Sequence, residues 1–331
     1  MQFRMKLDLV GLGSAIVDFV PNKTGVSLSE VCSFSPSAGG AVANVVVAAS
    51  RLGLTTAFVG CVGDDEFGAF ILRDFKKEGV DVSYLKKVKG RNTGVAFYSV
   101  DKCGERHYVF YRFPGYSDPE SELALEDADI EYITCAKVLH VSEAMFRQDR
   151  TRETTLKVLS SAKEKGVMVS YDPNMRKTLW SSQERFSETQ RKIIGLTDIF
   201  LSTLKEASLI VGEQGGREIA ERTLALGPSI VVLREERCYQ VRTVNQRLTV
   251  PISKVKAVDT SGAGDAFDAG FLTGVIKGMS LKKAVLLGNA VASLKVMKVG
   301  TRTGLPRMNE ALAYIRSKGR SVRGILEVSS L

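Results

Sequence analysis

Short apolar segments that alternate with amphipathic ones constrain the fold of this chain more than any other feature. The strand candidates are Lys137–Val141, Val167–Tyr171, Ile199–Leu201 and Ser229–Leu233. Between them, apolar residues recur at helical spacing in segments such as Arg150–Lys165 and Gly215–Leu226. This alternation is typical of βαβ units, in which helices cover both faces of a parallel sheet. The sequence therefore predicts an α/β fold.

The N-terminal part of the chain adds a hairpin and a helix to this pattern. Residues Gly94–Ser99 and Glu105–Arg112 alternate apolar and polar side chains, which predicts a half-exposed hairpin. In GGAVANVVVAASRLG, two glycines precede an Ala/Val-rich helix that stops at Gly53. Further candidates are strands at Lys6–Leu12 and Thr56–Val62 and helices at about Glu66–Glu78, Ala263–Lys277, Leu281–Met297 and Asn309–Lys318. With 331 residues and no repeat or linker, the chain is expected to form one domain over residues 1–331.

The positive charge of the chain is concentrated in its last quarter. Lys and Arg number 46 against 37 Asp and Glu, for a formal net charge of +9. The stretch from Pro251 to Leu331 holds 13 basic and 5 acidic residues and so carries +8 of it. An anionic partner is expected, and the candidates are nucleic acid, a membrane surface and a phosphorylated ligand. Because the chain has no RNA-binding motif with interleaved aromatic residues, the small phosphorylated ligand is favoured.

Cysteine and histidine usage excludes several kinds of site. The 5 cysteines form no CxxC pair and their number is odd, so a zinc ribbon, a redox pair and a disulfide framework are not expected. With 2 histidines, any essential metal must rely on oxygen ligands. The N-terminal segment, interrupted by Asp8 and Asp18, lacks a signal-peptide core, and no apolar run is long enough to span a bilayer. We therefore expect a cytoplasmic protein.

The segment Asp259–Phe267, with the sequence DTSGAGDAF, is a glycine loop followed by the start of a helix. Gly262 and Gly264 allow a sharp turn and a close approach to a ligand. Amides at a helix N-terminus lack intrahelical partners and bind anions together with the helix dipole. Asp265 follows in the first turn, where its carboxylate can accept a proton from a hydroxyl. The segment predicts phosphoryl transfer to an alcohol, because a plain helix start capped by Ser261 leaves the glycines and carboxylates unexplained.

This segment resembles the second signature of the ribokinase-like (PfkB) carbohydrate kinases. The stretch AGGAVANVVVAASRLG followed by FVGCVGDDEFG is similar to their first signature, and order and spacing match from about Asp8 to Pro306. The resemblance implies a three-layer α/β/α domain with a mostly parallel central sheet and a small β-sheet lid. The lid strands would lie within about residues 14–38 and 92–115, and relatives often form homodimers through the lid. ATP and Mg²⁺ are implied as cofactors, with K⁺ as a further candidate.

The resemblance also implies roles for individual residues. The matched positions are Asp265 for the catalytic base, Gly262, Ala263 and Gly264 for an anion hole, Asp259 and Ser261 for a monovalent cation, and Asp18, Gly39, Gly40 and Asn44 for the sugar. Taken alone, Asp18 is equally explained as the cap of a turn. Its place beside the other matched positions is what supports a role in sugar binding.

Two segments are similar to the branch of fructokinases and 2-keto-3-deoxygluconate kinases. They are DPNMRKTLW, from Asp172 to Trp180, and ERHYVFYR, which ends at Arg112. In that branch Arg112 and Arg176 would lie near the sugar or its carboxylate. A solvated arginine is the alternative at each position.

Several positions are implied near the nucleotide and its metal, and some depart from the family pattern. Glu206 ends an Asn-x-x-Glu motif and would organise Mg²⁺ through water, but Thr203 stands at the Asn position. Arg234 and Arg237 stand where relatives carry glycines that border the nucleotide. Their guanidiniums would narrow the site or bind phosphate oxygens, and a surface salt bridge to a neighbouring glutamate is the alternative. Asn289 matches a helix position near the adenine.

Taken together, the sequence predicts Mg·ATP-dependent phosphorylation of a primary hydroxyl of a hexose, with fructose as the first candidate. A 2-keto-3-deoxygluconate kinase is the alternative, and a nucleoside is a less favoured substrate. A family member that has lost catalysis and acts as a binding or scaffold protein is a further alternative, motivated by Thr203, Arg234 and Arg237. A Rossmann dehydrogenase does not fit VGLGSAIVD, because Val17 stands where the third glycine is required.

Overall fold

The computed structural model describes most of the chain and divides into two compact units. The described residues are 7–102, 106–112, 118–176, 180, 183–212 and 215–319, with the backbone alone at position 183. Unit 1 contains the described residues up to Leu12 together with Leu123–Ile252. Unit 2 contains Gly13–Glu122 together with the described residues from Ser253 onward. Each unit is thus built from two separate stretches of the chain, and a single domain over residues 1–331 stays a prediction.

Strands and helices alternate along much of the described chain. The strands are β1 (Leu9–Leu12), β2 (Ile16–Pro21), β3 (Phe34–Gly39), β4 (Thr56–Gly63), β5 (Leu85–Val88), β6 (Val95–Val100), β7 (Arg106–Tyr111), β8 (Val138–Ser142), β9 (Met168–Asp172), β10 (Ile199–Thr203), β11 (Ile230–Arg234), β12 (Cys238–Arg242) and β13 (Arg247–Pro251). The helices are α1 (Ala41–Arg51), α2 (Glu66–Lys77), α3 (Asp127–Ile133), α4 (Asp149–Glu164), α5 (Gln183–Gly195), α6 (Leu204–Val211), α7 (Gly216–Ala225), α8 (Ala263–Ile276), α9 (Leu281–Lys295) and α10 (Met308–Ser317).

Unit 1 is built on a mostly parallel sheet in the order β13-β12-β11-β10-β9-β8-β1. Strands β1, β8, β9, β10 and β11 run parallel, and β12 and β13 add an antiparallel edge. Every residue of β1 and β8 is buried, as expected for strands covered on both faces. The α/β fold with a mostly parallel sheet, predicted from the alternation of strands and helices, is confirmed.

Unit 2 contains a separate four-stranded sheet in the order β3-β2-β6-β7. Strand β2 pairs antiparallel with β3 and parallel with β6, and β6 and β7 form the antiparallel hairpin expected from the sequence. The same unit holds the parallel pair β4 and β5. The four strands of the smaller sheet lie at residues 16–21, 34–39, 95–100 and 106–111. That this sheet acts as a lid stays a prediction.

Helices α8 and α9 of unit 2 pack closely because glycines lie where they meet. A Cβ on Gly270 would lie 2.7 Å from the Cα of Gly288, and a Cβ on Gly274 would lie 2.7 Å from the Cα of Ala284. Most residues of both helices are buried, as expected for helices in the interior of a core. This contact sets the position of α8, whose first turn contains Asp265.

The sequence missed some elements and misplaced some ends. The strand predicted at Ile199–Leu201 continues to Thr203, and the helix predicted to reach Met297 ends at Lys295. Elements that were not expected are α3, α5, α6, β5, β12 and β13. Strands β12 and β13 lie at the edge of their sheet, and at least every second residue is partly or fully exposed, so they lack the continuous apolar run of a buried strand. Among the helices of the described ranges, none combines the length and apolar character of a membrane span.

Candidate active site

The glycine loop before α8 has the geometry expected from its sequence. Gly262 has a φ of 69°, a left-handed conformation that favours glycine, and the helix begins at Ala263. Asp265 follows in the first turn and is buried. The Ala263 amide donates to the carbonyl of Thr260 at 3.2 Å, so one of the amides predicted for the anion hole already has a partner. Backbone amides in a first helical turn generally lack intrahelical partners, and Gly264 lies in this turn.

A chain of buried hydrogen bonds leads to the carboxylate of Asp265. The Asn44 amide nitrogen donates to Asp265 Oδ2 at 2.8 Å. Asn44 Oδ1 in turn accepts from Arg302 Nε at 2.9 Å, and Arg302 Nη1 pairs with Asp74. Burial lowers the pKa of Arg302 from its usual value, and the carboxylates near it, Asp74 first, oppose this effect. The predicted sugar ligand Asn44 is thus bonded to the predicted base.

Asp18 lies in β2 against the backbone of Gly39 in β3. A Cβ on Gly39 would lie 2.1 Å from Asp18 Oδ2, so only glycine leaves room for this carboxylate. The next residue, Gly40, has a φ of 102°, and a Cβ there would lie 2.3 Å from the carbonyl oxygen of Ser14. The two glycines therefore allow Asp18 and the Ser14 backbone to approach the start of α1, which carries Asn44.

Arg112, the predicted sugar or carboxylate ligand of unit 2, is buried among polar partners. Its Nη2 donates to Ser14 Oγ at 3.0 Å and lies 3.3 Å from Asp118 Oδ2. The same atom lies 3.6 Å from Glu120 Oε1. Arg112 and Asp118 line a cavity of about 440 Å³, together with Thr93 and other residues of unit 2. A single guanidinium therefore has two acidic neighbours at the edge of a cavity.

Asp259 and Ser261, the positions predicted for a monovalent cation, are both buried. Asp259 Oδ1 accepts from the Ser261 amide at 2.8 Å, and Oδ2 accepts from the Gly300 amide at 2.8 Å. Its carbonyl oxygen accepts from Lys295 Nζ at 2.9 Å. Burial alone would raise the pKa of Asp259, but the Lys295 charge and these hydrogen bonds hold it below its usual value. Burial also lowers the pKa of Lys295 to about 8, although Asp259 opposes this shift.

In unit 1, the carboxyl ends of β9, β10 and β11 bring three polar residues to one edge of the sheet. Thr203 and Arg234 are register partners in the β10–β11 pair. Arg234 Nη2 lies 2.7 Å from Asp172 Oδ2, and Asp172 Oδ1 accepts from the amide of Asn174. Asn174 has a φ of 40°, a conformation that few residues other than glycine adopt. Arg234 therefore forms an ion pair with Asp172. The carboxyl ends of parallel strands are the usual place for ligands in such sheets.

Glu206 is held by the chain around it. One carboxylate oxygen accepts from the Met175 amide at 2.7 Å. The other accepts from the Thr203 hydroxyl at 2.6 Å and the Thr203 amide at 3.2 Å, completing a capping box at the start of α6. Thr203 thus serves as the N-cap of α6, which explains a hydroxyl at this position. Because each carboxylate oxygen has two lone pairs, Glu206 retains the capacity to accept from water.

The other predicted residues form local contacts. Arg176 is half-buried, and its Nη1 lies 3.0 Å from the Met175 carbonyl oxygen. Arg237 is exposed. Asn289, in α9, accepts from the Ser253 amide at 3.2 Å and donates to the Ser253 hydroxyl at 3.2 Å. The nucleotide roles of these residues stay predictions.

Sequence reasoning missed Arg302, Asp74 and Lys295. Lys295 was detectable, because it is the charged residue of an otherwise apolar helical stretch, AVASLKVM. Such a lysine is fully buried only when it has a partner. Arg302, in the loop GTRTG, has no periodic pattern around it, and its partner Asp74 lies far away in the sequence.

Comparison with known proteins identifies the family of this chain. Residues 6–308 match the profile described as "pfkB family carbohydrate kinase". A 2-dehydro-3-deoxygluconokinase of Bacillus subtilis (strain 168) is 34% identical over 324 residues, which cover 96% of this chain and 98% of that protein. A fructokinase of Solanum tuberosum is 34% identical over 316 residues, which cover 93% of this chain and 95% of that protein.

A solved structure supports the same assignment. A fructokinase double mutant of Vibrio cholerae O395, bound to fructose, ADP and a potassium ion, is 28% identical to this chain. It superposes with a TM-score of 0.82 over 93% of this chain and 98% of that one. The ribokinase-like α/β fold predicted from the two signatures is confirmed. The chain therefore belongs to the pfkB family of carbohydrate kinases and is a phosphotransferase with an alcohol as acceptor.

Proposed function

We propose that this kinase phosphorylates a primary hydroxyl of a hexose, with fructose as its first substrate and ATP as the phosphoryl donor. The observation that carries the proposal is the 2.8 Å hydrogen bond from Asn44 to Asp265. This bond places a predicted sugar ligand directly beside the predicted base. Asp18, held against Gly39, supplies a second buried carboxylate in the same unit for sugar hydroxyls.

In this proposal Asp265 accepts the proton of the attacking hydroxyl as the oxygen approaches the γ-phosphate. An ordinary carboxylate serves this role, because a loose transition state requires little deprotonation until late. Amides at the start of α8 and the helix dipole stabilise the negative charge of the transferring group. Asn44 orients Asp265, and the bond from Arg302 orients Asn44.

Mg²⁺ would supply charge neutralisation on the phosphates of ATP. This ion is usually held by one or two carboxylates, several waters and the phosphates themselves, so a dense cluster of protein ligands is not required. Among the described residues, no group of three or more His, Cys, Asp or Glu side chains could hold a metal. Glu206 fits the predicted role, because its oxygens can still accept from water. We propose that Glu206 binds Mg²⁺ through water.

The surroundings of Arg112 favour a neutral sugar. Asp118 and Glu120 lie within 3.6 Å of this guanidinium, so its charge is already paired with acidic side chains. A substrate carboxylate brought to Arg112 would be repelled by these acids at low effective dielectric. Fructose carries no such charge. The fructokinases of Solanum tuberosum and Vibrio cholerae among the relatives support the same choice.

Arg176 favours a second candidate, 2-keto-3-deoxygluconate. Within the described part of unit 1, this guanidinium contacts main-chain carbonyls and no carboxylate. It is therefore free to form a bidentate pair with a sugar acid. The Bacillus subtilis relative carries the name of this activity.

A panel of acceptors separates these candidates. ATP consumption is measured with fructose, glucose, 2-keto-3-deoxygluconate and a nucleoside, and Asp265→Asn is the matched control. We expect kcat/KM to be highest for fructose, and Asp265→Asn to lower turnover by at least about a hundredfold while ATP binding persists. A preference for the sugar acid that is lost in Arg176→Gln would assign the second candidate. No turnover with any acceptor by a folded protein would identify a member that has lost catalysis.

We also propose that the kinase is a cytoplasmic homodimer. Strand β7 is at the edge of the four-stranded sheet, and Val109 and Tyr111 on it are exposed at 43% and 44%. An edge strand with exposed apolar side chains is a ready surface for a second copy. Light scattering of the wild type and of Val109→Lys tests this proposal. A monomeric wild type would contradict it. If Val109→Lys stays dimeric, the dimer interface does not lie at β7.

A further inference from the structure

We propose that the side-chain ammonium of Lys295 replaces a monovalent cation at the loop before α8, so that this kinase needs no K⁺. The side chain of Lys295 is completely buried at the C-terminal end of α9. Its Nζ donates to the carbonyl oxygen of Asp259 at 2.9 Å. An ammonium group has the charge of K⁺ and binds the same kind of ligand, a carbonyl oxygen.

The carbonyl oxygen of Asp259 does not fit a second cation. All three oxygens of Asp259 accept hydrogen bonds, from the Lys295 ammonium and from the amides of Ser261 and Gly300. A K⁺ ion bound to the Asp259 carbonyl would have to share that oxygen with an ammonium. The repulsion between two unit charges a few ångströms apart is large in a buried site. The K⁺ expected from the resemblance, and present in the Vibrio cholerae fructokinase, is therefore excluded at this carbonyl.

The position of the ammonium explains how it can serve the reaction. Asp259 begins the loop that turns at Gly262 and leads to Asp265, and Lys295 interacts electrostatically with both carboxylates. The Gly300 amide holds the same Asp259 from the segment after α9. The Lys295 side chain at the end of α9 and the Gly300 amide after it therefore both hold Asp259 at the start of the loop. A charge at this point stabilises the loop that leads into the first turn of α8.

Melting temperatures provide a test that needs no substrate. The wild type, Lys295→Met and the control Lys298→Met are compared in KCl and in choline chloride at equal ionic strength. Lys298 is an exposed lysine three residues beyond the end of α9, so it controls for a general loss of positive charge. We expect the wild type and Lys298→Met to melt equally in both salts. Lys295→Met should melt lower in choline chloride and be stabilised saturably by K⁺, because an ion that binds the folded state raises its stability.

Turnover provides the second arm, which rests on the proposed function. We expect the kcat of the wild type to differ less than about twofold between the two salts, because the cation at the loop belongs to the chain itself. Lys295→Met should lose at least about tenfold in choline chloride and recover part of it in KCl or NH₄Cl. If the sugar kinase activity itself is absent, the melting arm still decides the role of Lys295.

Two results would overturn the proposal. One is saturable stabilisation or activation of the wild type by K⁺, which would mean that the ion binds beside the ammonium. The other is a Lys295→Met protein that is weakened equally in both salts, which would make Lys295 a structural tie only. If Lys295→Met does not fold in choline chloride, the yield of folded protein from purification in each salt is compared in place of the melting temperatures. Folded protein obtained in KCl alone supports the proposal, and failure in both salts contradicts it.

Discussion

At the scale of single residues, the site depends on one close contact and on a chain of hydrogen bonds. Asp18 occupies the space that a side chain at Gly39 would need, and Asn44 bonds to Arg302 on one side and Asp265 on the other. Asp18 keeps its position because Gly39 has no side chain, and Asn44 keeps its orientation because both of its neighbours form hydrogen bonds with it. Substitutions at this scale should therefore change particular kinetic constants and not merely the amount of folded protein.

Gly39→Ala should weaken sugar binding. The added methyl group would lie 2.1 Å from Asp18 Oδ2, so the carboxylate must move away from its position in β2. We expect KM for the sugar to rise about tenfold or more, as if one charged hydrogen bond of about 1.5–3 kcal/mol were lost, with a smaller change in kcat.

The control for this substitution is Gly195→Ala, where the nearest atom would be 3.6 Å away, an ordinary contact. Steady-state kinetics with fructose and ATP measure both variants, and circular dichroism measures their folding. A Gly39→Ala enzyme with an unchanged KM for the sugar would remove Asp18 from the sugar site.

Arg302→Gln should lower kcat more than it raises KM for ATP. The substitution removes the Nε donor to Asn44 and leaves Asn44 free to turn away from Asp265. We expect kcat to fall by about tenfold, the equivalent of one hydrogen bond to a charged group. The pH profile of kcat should also change, because Asp265 loses its oriented donor.

Arg51→Gln is the matched control for Arg302→Gln. It breaks a half-buried pair with Glu78 and the hydrogen bond from Arg51 Nη1 to the Arg302 carbonyl. Because it leaves the Arg302 side chain and its Nε donor intact, it should reduce the melting temperature without changing the pH profile. If both variants lose stability but keep the wild-type kcat and profile, Arg302 is a structural residue with no part in positioning the base.

At the scale of elements, helices α8 and α9 of unit 2 approach each other closely. Gly270 faces the backbone of Gly288, and the two helices carry Asp265, Asn289 and Lys295. A wider separation would move the first turn of α8 relative to the end of α9. The spacing of one helix pair thus sets the distance between the predicted base and the buried ammonium.

Gly270→Ala should destabilise the protein through this helix pair. The added methyl group would lie 2.7 Å from the Cα of Gly288, a contact that only backbone movement can relieve. We expect the free energy of unfolding to fall by about 1–3 kcal/mol, the usual cost of overpacking a core. Urea denaturation of this variant and of Gly195→Ala measures the difference, and equal stability in the two variants would contradict the tight packing.

The sequence predicted most strands and helices but few of the contacts between them. The strands from β8 to β11 and the helices α8 and α9 were detectable because buried strands and helices leave apolar runs or helical periodicity. The bond between Asn44 and Asp265 joins residues 221 positions apart, and no periodicity reports such a contact. The resemblance to a family supplied both residues, but neither residue pattern nor resemblance supplied Arg302, whose role depends on the packing of a loop without regular structure.

At the scale of the whole molecule, acid acts on the interior of unit 1 through a buried histidine. The chain has 2 histidines, and the exposed one, His107, lies 3.5 Å from Asp101. His140 is buried in β8, with Ser170 Oγ 3.0 Å from its Nδ1. Burial lowers the pKa of His140 to about 4, while Asp172 opposes and Arg234 assists this shift.

The free energy of unfolding should therefore fall as the pH is lowered from about 6.5 to about 4. The unfolded chain binds the His140 proton near pH 6.5 and the folded chain only near pH 4, so between these values the unfolded state holds more protons. The stabilisation is complete above pH 6.5, and about 2 kcal/mol of it should be lost at pH 5.

Urea denaturation at pH 7.5 and pH 5 measures this loss in the wild type, His140→Asn and His107→Asn. Asparagine retains a polar atom near the position of Nδ1 but does not titrate in this range. We expect His140→Asn to lose less stability between the two pH values than the wild type, and His107→Asn to behave as the wild type. Equal losses in all three proteins would place the acid sensitivity in other groups.

The contact between Lys295 and the Asp259 carbonyl has a consequence for how this enzyme meets its surroundings. A cation bound from solution has a dissociation constant, so dialysis removes it and competing ions displace it. A cation on a side chain is attached covalently, and its effective concentration at the site does not depend on the medium. The kinase should keep its activity on transfer between salts of different composition. It also gives up a means of control, because the concentration of potassium in its surroundings cannot switch it on or off.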